Sequence, residues 1–122
     1  MTLQELYTLI GGNYDQAVKI MRRDKLIDRY VRKFSGSHVG ENLAAAGQSM
    51  DAVLMFESAH AMKGVCANLG LDTLSQAASD LTEEFRPGAA RRYTDDEVRA
   101  KLSEINELYQ RTIDGIHQYE NS

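Results

Sequence analysis

The sequence predicts an all-α fold, and three observations carry that expectation. Apolar residues recur at helical spacing along the chain, alternating strand patterns are absent, and Pro87 is the only proline among 122 residues. Turn signals at Gly11-Gly12, Ser35-Gly36-Ser37 and Pro87-Gly88 cut the chain into helix-length pieces. Short loops between helices imply antiparallel neighbours, so the expected architecture is an up-down antiparallel four-helix bundle with short additional N-terminal helices. Residues 1–122 are expected to form one domain. Such a chain buries roughly two thirds of its unfolded surface and needs no metal or disulfide to fold.

Thr2 is a candidate N-cap for a first helix holding Leu3, Leu6, Leu9 and Ile10, stopped by Gly11-Gly12. Asn13 can cap the next segment. Tyr14 to Phe34 reads as helix, with Ala17, Ile20, Met21, Ile27, Tyr30, Val31 and Phe34 on its buried face. A break is possible after Arg22-Arg23, with Asp24 capping the restart. Val39 to Ala46 is a short helix that Gly47-Gln48-Ser49 interrupts, and Ser49 or Asp51 caps a central helix reaching Leu69. Gly70 is its natural C-cap. Asp72 is expected to cap a helix with Leu74, Ala77, Ala78, Leu81 and Phe85 inward, ended by Pro87-Gly88. After a loop from Ala89 to Tyr93, Thr94 and Glu97 form a capping box. The last helix carries the stripe Val98, Leu102, Ile105, Tyr109, Ile113 and Ile116.

Composition excludes several functions. The net charge of −4, with no basic stripe apparent along a face, disfavours nonspecific nucleic-acid binding. No apolar run approaches the ~20 residues of a membrane span. Gln4 and Glu5 break any leader-like apolar stretch, and the single Cys66 cannot form an internal disulfide, so a cytoplasmic location is expected. No pair of histidines or carboxylates has metal-ligand spacing, and no Gly-rich phosphate loop occurs.

The central helix holds the most informative stretch, His60-Ala61-Met62-Lys63-Gly64. Placing Met50 to Leu69 on one helix puts Met55, Ala59, Met62, Cys66 and Leu69 at steps of 4, 3, 4 and 3, a packing seam. His60 projects roughly 140° from the middle of that seam, at about 100° per residue. Lys63, Gly64 and Ala67 share its face at i+3, i+4 and i+7, and Phe56 and Val53 extend the stripe backwards. A mid-helix glycine costs roughly 1 kcal/mol relative to alanine. One turn beyond an outward histidine, it removes the side chain that would obstruct a large partner. Lys63 places a positive charge beside the imidazole.

These residues resemble the histidine-containing phosphotransfer (HPt) family, whose signature is His-x-x-Lys-Gly on a helix with a further glycine. Here those are His60, Lys63, Gly64 and Gly70. Asp51, Ala59, the Ala67-Asn68-Leu69-Gly70-Leu71 run and Leu74 to Ala78 also look like the family; Ala61-Met62 departs mildly from its usual threonine-leucine. The resemblance implies that His60 is a phosphoacceptor, taking a phosphoryl group through Nε2 from a receiver-domain aspartate and passing it to another. It implies response-regulator receivers and an upstream histidine kinase as partners. No cofactor is implied on this chain, since Mg²⁺ would belong to the receiver. A monomer is expected, because a closed bundle leaves no second seam.

Plainer roles stand beside each of these. His60 can be an idle surface histidine, Lys63 a solvated charge, and Gly64 a close helix-helix contact. Glu57 and Asn68 can orient the imidazole, form part of a partner-binding face, or be merely solvated. Val53, Phe56 and Ala67 can face a partner or belong to the rim of the core, and Tyr30, Val31 and Phe34 share that ambiguity. His38 and His117 read as surface histidines, Cys66 as a packing group, and Arg91-Arg92 as a solvated loop that can also reach a phosphate. The alternative function is a non-phosphorylated helical-bundle module that binds a receiver or another signalling protein. A third is a domain cut from a chemotaxis-type kinase.

Overall fold

The computed structural model describes all 122 residues. Seven helices follow one another and no strand occurs: α1 (Leu3–Ile10), α2 (Tyr14–Met21), α3 (Asp24–Phe34), α4 (Val39–Ser49), α5 (Ala52–Asn68), α6 (Asp72–Glu84) and α7 (Asp95–Glu120). The long α7 packs against α4 and α6, which in turn pack on the two sides of α5, and it also meets α1 and α3. One cluster of 26 buried apolar residues draws on all seven helices. The α5 seam lies inside it: Met55, Ala59, Met62 and Cys66 are fully buried and Leu69 nearly so.

Local signals act largely where expected. The Thr94–Glu97 capping box forms, and Thr2 caps α1 as expected, with Glu5 completing a second box there. Asn13 accepts from the Gln16 amide, and Asp51 accepts from the Leu54 amide. The Tyr14–Phe34 segment is two helices, divided where the sequence allowed a break, because Arg22 turns left-handed at φ 70°. Three boundaries differ from the sequence reading. Asp24 does not cap α3; its carboxylate accepts the Tyr14 hydroxyl instead. Helix α4 runs through Gly47 to Ser49, and left-handed Met50 ends it rather than opening α5. Gly47 is a close contact, since a Cβ there would lie 2.6 Å from Leu102 Cδ1. Asp72 is the first residue inside α6, not its cap, and its carboxylate accepts from Asn13 Nδ2 at 3.1 Å.

That last bond belongs to a clamp on the α5–α6 turn. The buried Tyr7 hydroxyl donates to the Leu69 carbonyl at 2.7 Å, and the Asn13 amide donates to the Gly70 carbonyl at 2.7 Å. Gly70 sits at φ +69°, and a Cβ there would lie 2.3 Å from the Asn13 carbonyl oxygen. Only glycine fits this turn. The N-terminal helices therefore fix where α5 ends.

A second clamp joins α6 to α7. The Glu84 carboxylate is fully buried and accepts from Arg91 Nε at 2.7 Å and from the Arg92 and Tyr93 amides at 3.0 Å. Asp80 accepts from the Tyr93 hydroxyl at 2.9 Å and pairs with Arg92 and Lys101. Burial pushes the Glu84 carboxyl up, but the Arg91 bond and the two amides outweigh it and hold it below the usual carboxylate range. The stability this contributes is present above the ordinary glutamate value of 4.5 and is lost as pH falls through the lower folded value. Glu84→Ala leaves the Arg92 and Tyr93 amides without their carboxylate acceptor and Arg91 with Asp95 alone, and urea unfolding at neutral pH should show a loss of about 2 kcal/mol. Glu84→Gln should flatten the acid limb of the stability–pH curve; an unchanged limb would place the acid sensitivity on other carboxylates.

Candidate functional site

Helix α5 divides into a buried seam and an outer face that is itself poor in polar groups. His60 stands exposed on that outer face. Its ring stacks on Phe56, with centroids 5.7 Å apart and planes 9° from parallel. Phe56 in turn lies 5.4 Å from the guanidinium carbon of Arg86, at the end of α6. Two bonds, at 2.7 and 2.9 Å, hold Arg86 to Glu83. Arg86 keeps the Glu83 carboxyl below its usual range, and the Lys63 charge adds to that effect. The α5 backbone is tied to α6 where the Ser75 hydroxyl donates to the Lys63 carbonyl at 3.2 Å. The Lys63 ammonium forms no ion pair, and no protein group hydrogen-bonds to the imidazole. An accessible imidazole thus has the unpaired Lys63 one turn along its own helix, and the Phe56 ring it stacks on is met by the Glu83-bound Arg86.

Gly64, one turn past His60, faces open space: an added Cβ would meet nothing within 4 Å. No contact inside the chain requires a glycine there, in contrast to Gly40, where a Cβ would lie 2.3 Å from the Tyr109 ring. Val53 is 62% exposed, and Glu57, Ala67 and Asn68 are exposed on the same face. Phe56 is half-buried, because one side of its ring packs toward α6. The tertiary structure thus brings His60, Lys63, Gly64, Phe56, Val53, Glu57, Ala67 and Asn68 onto one continuous surface.

Several neighbours were not legible in the sequence. Arg86 joins the site through the packing of α6 on α5, and no local pattern marks it. Leu54, 48% exposed, lies off the seam, which is the signal that could have singled it out. On α2 and α3, Val31 and Phe34 are core, but Ile20 and Tyr30 are 43% and 45% exposed, against the expected buried face; Leu9 is likewise 45% exposed. Ile20, Tyr30 and Phe34 line an apolar groove of about 440 Å³ with Val65, Asn68 and Leu69, beside the C-terminal end of α5.

The remaining reactive groups lie elsewhere. His38, left-handed at φ 58°, and His117 are both exposed and distant in sequence from the site. Burial pushes the Cys66 thiol up to about 12, so it stays protonated and inert. Arg91 and Arg92, expected in a solvated loop, are committed to Glu84 and Asp80. No group of three or more His, Cys, Asp or Glu is placed to hold a metal ion. No helix is long and apolar enough to cross a membrane.

Because Gly64 sits mid-helix in open space, Gly64→Ala should raise stability by about 1 kcal/mol in urea unfolding. A destabilised variant would show that the helix needs glycine for a local reason.

A scan against protein-family models matches the Hpt domain over residues 35–115, about two thirds of the chain. No curated protein and no solved structure matches the chain at the significance required. The matched span runs from the end of α3 into α7 and contains His60, Lys63, Gly64 and Arg86. This all-helical chain belongs to the Hpt domain family.

Proposed function

We propose that the chain is a histidine phosphocarrier in a multistep phosphorelay, phosphorylated on His60. The observation that carries the reading is an exposed, unpartnered imidazole flanked by Lys63 and by the open position at Gly64. Histidine phosphotransfer belongs to the family in general; the direction and the residues are this reading's own. The 122 residues act as one domain built around an up-down bundle of α4 to α7. The partners are response-regulator receiver domains and an upstream histidine kinase, the location is cytoplasmic, and the carrier works as a monomer without its own kinase activity.

The neutral imidazole attacks the phosphorus of a receiver's aspartyl phosphate with the lone pair of Nε2. The N–P bond forms as the P–O bond to the aspartate breaks, and the carboxylate leaves with the electron pair. The reverse sequence delivers the group to another receiver. Transfer of this kind depends on positioning and charge. Phe56 holds the ring by stacking, Lys63 offsets the incoming negative charge, and Mg²⁺ is the receiver's. Gly64 gives clearance, while Val53, Glu57, Ala67 and Asn68 form the surface on which the receiver rests.

Incubation with a panel of phosphorylated receivers, followed by intact mass, tests this directly. Wild type should gain one phosphate, labile to acid and stable to base, and His60→Gln should gain none. Label persisting on His60→Gln would move the site elsewhere. Receiver binding without any mass gain would favour an interaction module that is not phosphorylated. Phe56→Ala should slow transfer about tenfold through misplacement of the imidazole. Phe56→Tyr, which keeps the stack, should restore the rate; equal rates in all three would remove Phe56 from the positioning role.

A further inference from the structure

The cations of this chain are unevenly placed. Seven of its 14 Lys and Arg lie between Lys19 and Lys33, against two carboxylates, Asp24 and Asp28. That stretch carries +5 within a chain of net −4. Against the expectation that no basic stripe runs along a face, Lys25, Arg29, Arg32 and Lys33 fall at steps of 4, 3 and 1 along one face of α3, with Lys19, Arg22 and Arg23 just before it in the chain. All seven cations are exposed. Arg32 is paired with Asp28, but Lys19, Arg22, Arg23, Lys25, Arg29 and Lys33 form no ion pair. Of the other seven, Arg86, Arg91, Arg92, Arg99 and Lys101 have carboxylate partners, and Lys63 and Arg111 do not.

This basic stretch borders an apolar recess. The groove beside α5 is lined by Ile20 and Tyr30, both partly exposed, and by Lys33, whose ammonium lies 5.6 Å from the Tyr30 ring. Its other wall is Val65, Asn68 and Leu69 of α5. Asn68 lies eight residues past His60 on the same helix, about 12 Å along the axis. A partner face that spans this distance from His60 reaches the groove at Asn68.

We propose that the α2–α3 surface is a docking site for a protein face that places carboxylates around a protruding apolar side chain, and that it selects the partner presented to His60. This rests on the phosphocarrier reading and adds a discriminating surface to it. Charge complementarity is the main support: six unpaired cations attract an acidic face and repel a basic one. The recess supports a protein occupant over a lipid surface, because a concave apolar groove receives a side chain whereas a bilayer presents none. Continuity with the α5 face through Val65 and Asn68 puts the occupant and the phosphoryl donor on one partner.

Kinetics separate the two components. Long-range charge acts on association and apolar packing acts on dissociation. Binding of a panel of receiver domains to the full chain should be followed by surface plasmon resonance over rising salt, alongside phosphate mass gain. Arg29→Glu/Lys33→Glu should slow association of the cognate receiver about tenfold at low ionic strength, and the difference should vanish at high salt. Arg111→Glu, which reverses an exposed cation on α7, should leave association close to wild type. Ile20→Ser should raise the dissociation rate with little change in association.

Equal association of the double variant and the Arg111→Glu control overturns the proposal, whether or not His60 is phosphorylated. Failure of every receiver to bind wild type also overturns it. Salt-dependent binding through the groove without phosphate on His60 leaves the docking surface standing and removes the carrier reading. Phosphatidylserine vesicles are the second probe: binding of wild type that Arg29→Glu/Lys33→Glu and Ile20→Ser abolish would assign the surface to a membrane and overturn the protein partner.

Discussion

The structure depends on burying one side of α5 while leaving the other bare. Met55, Ala59, Met62 and Cys66 have no exposure, and α4 and α6 close over them from two sides. That burial supplies most of the favourable energy for holding the helix. It also frees the opposite face from any structural duty. Gly64, Ala67 and Val53 are exposed there and His60 touches only the Phe56 ring, so the packing of the core does not dictate their identities.

The N-terminal third of the chain, mostly outside the span matched by the family model, fixes that helix in place. Tyr7 donates to the Leu69 carbonyl and Asn13 to the Gly70 carbonyl, so α1 and the start of α2 cap the turn at which α5 ends. A frayed end would let the outer face of α5 shift relative to α6, and with it the contact between Phe56 and Arg86. The Glu84 clasp acts at the other end of α6, fixing the segment from which Arg86 projects. Both clamps rely on buried hydrogen bonds, which are costly to break because their partners would be left unpaired.

The site spends stability for access. A glycine in open space on a helix is a choice against propensity. A valine 62% exposed beside it leaves apolar surface in water. The cations follow the same division. Those around Glu84 and Asp80 are neutralised and serve the fold, whereas Lys63 and six of the seven α2–α3 cations remain unpaired, their charge uncompensated within the chain.

The sequence by itself determined the helical class, the α5 seam, the outward direction of His60, the Thr2 cap and the Thr94–Glu97 capping box. These depend on spacing within a few residues, where helix geometry leaves little freedom. The family signature was legible for the same reason, because His60, Lys63 and Gly64 share one turn. Tertiary structure decided what local spacing cannot encode. Whether Gly47 breaks a helix or admits Leu102 depends on a neighbour far along the chain. Whether Asp24 and Asp72 cap helices depends on Tyr14 and Asn13 competing for them. Ile20 and Tyr30 carry helical periodicity but line an open groove, since a periodic apolar stripe does not specify which part of it another helix covers. The approach of Arg86 to Phe56 arises from the packing of α6 on α5, a relation between two surfaces that neither segment contains alone.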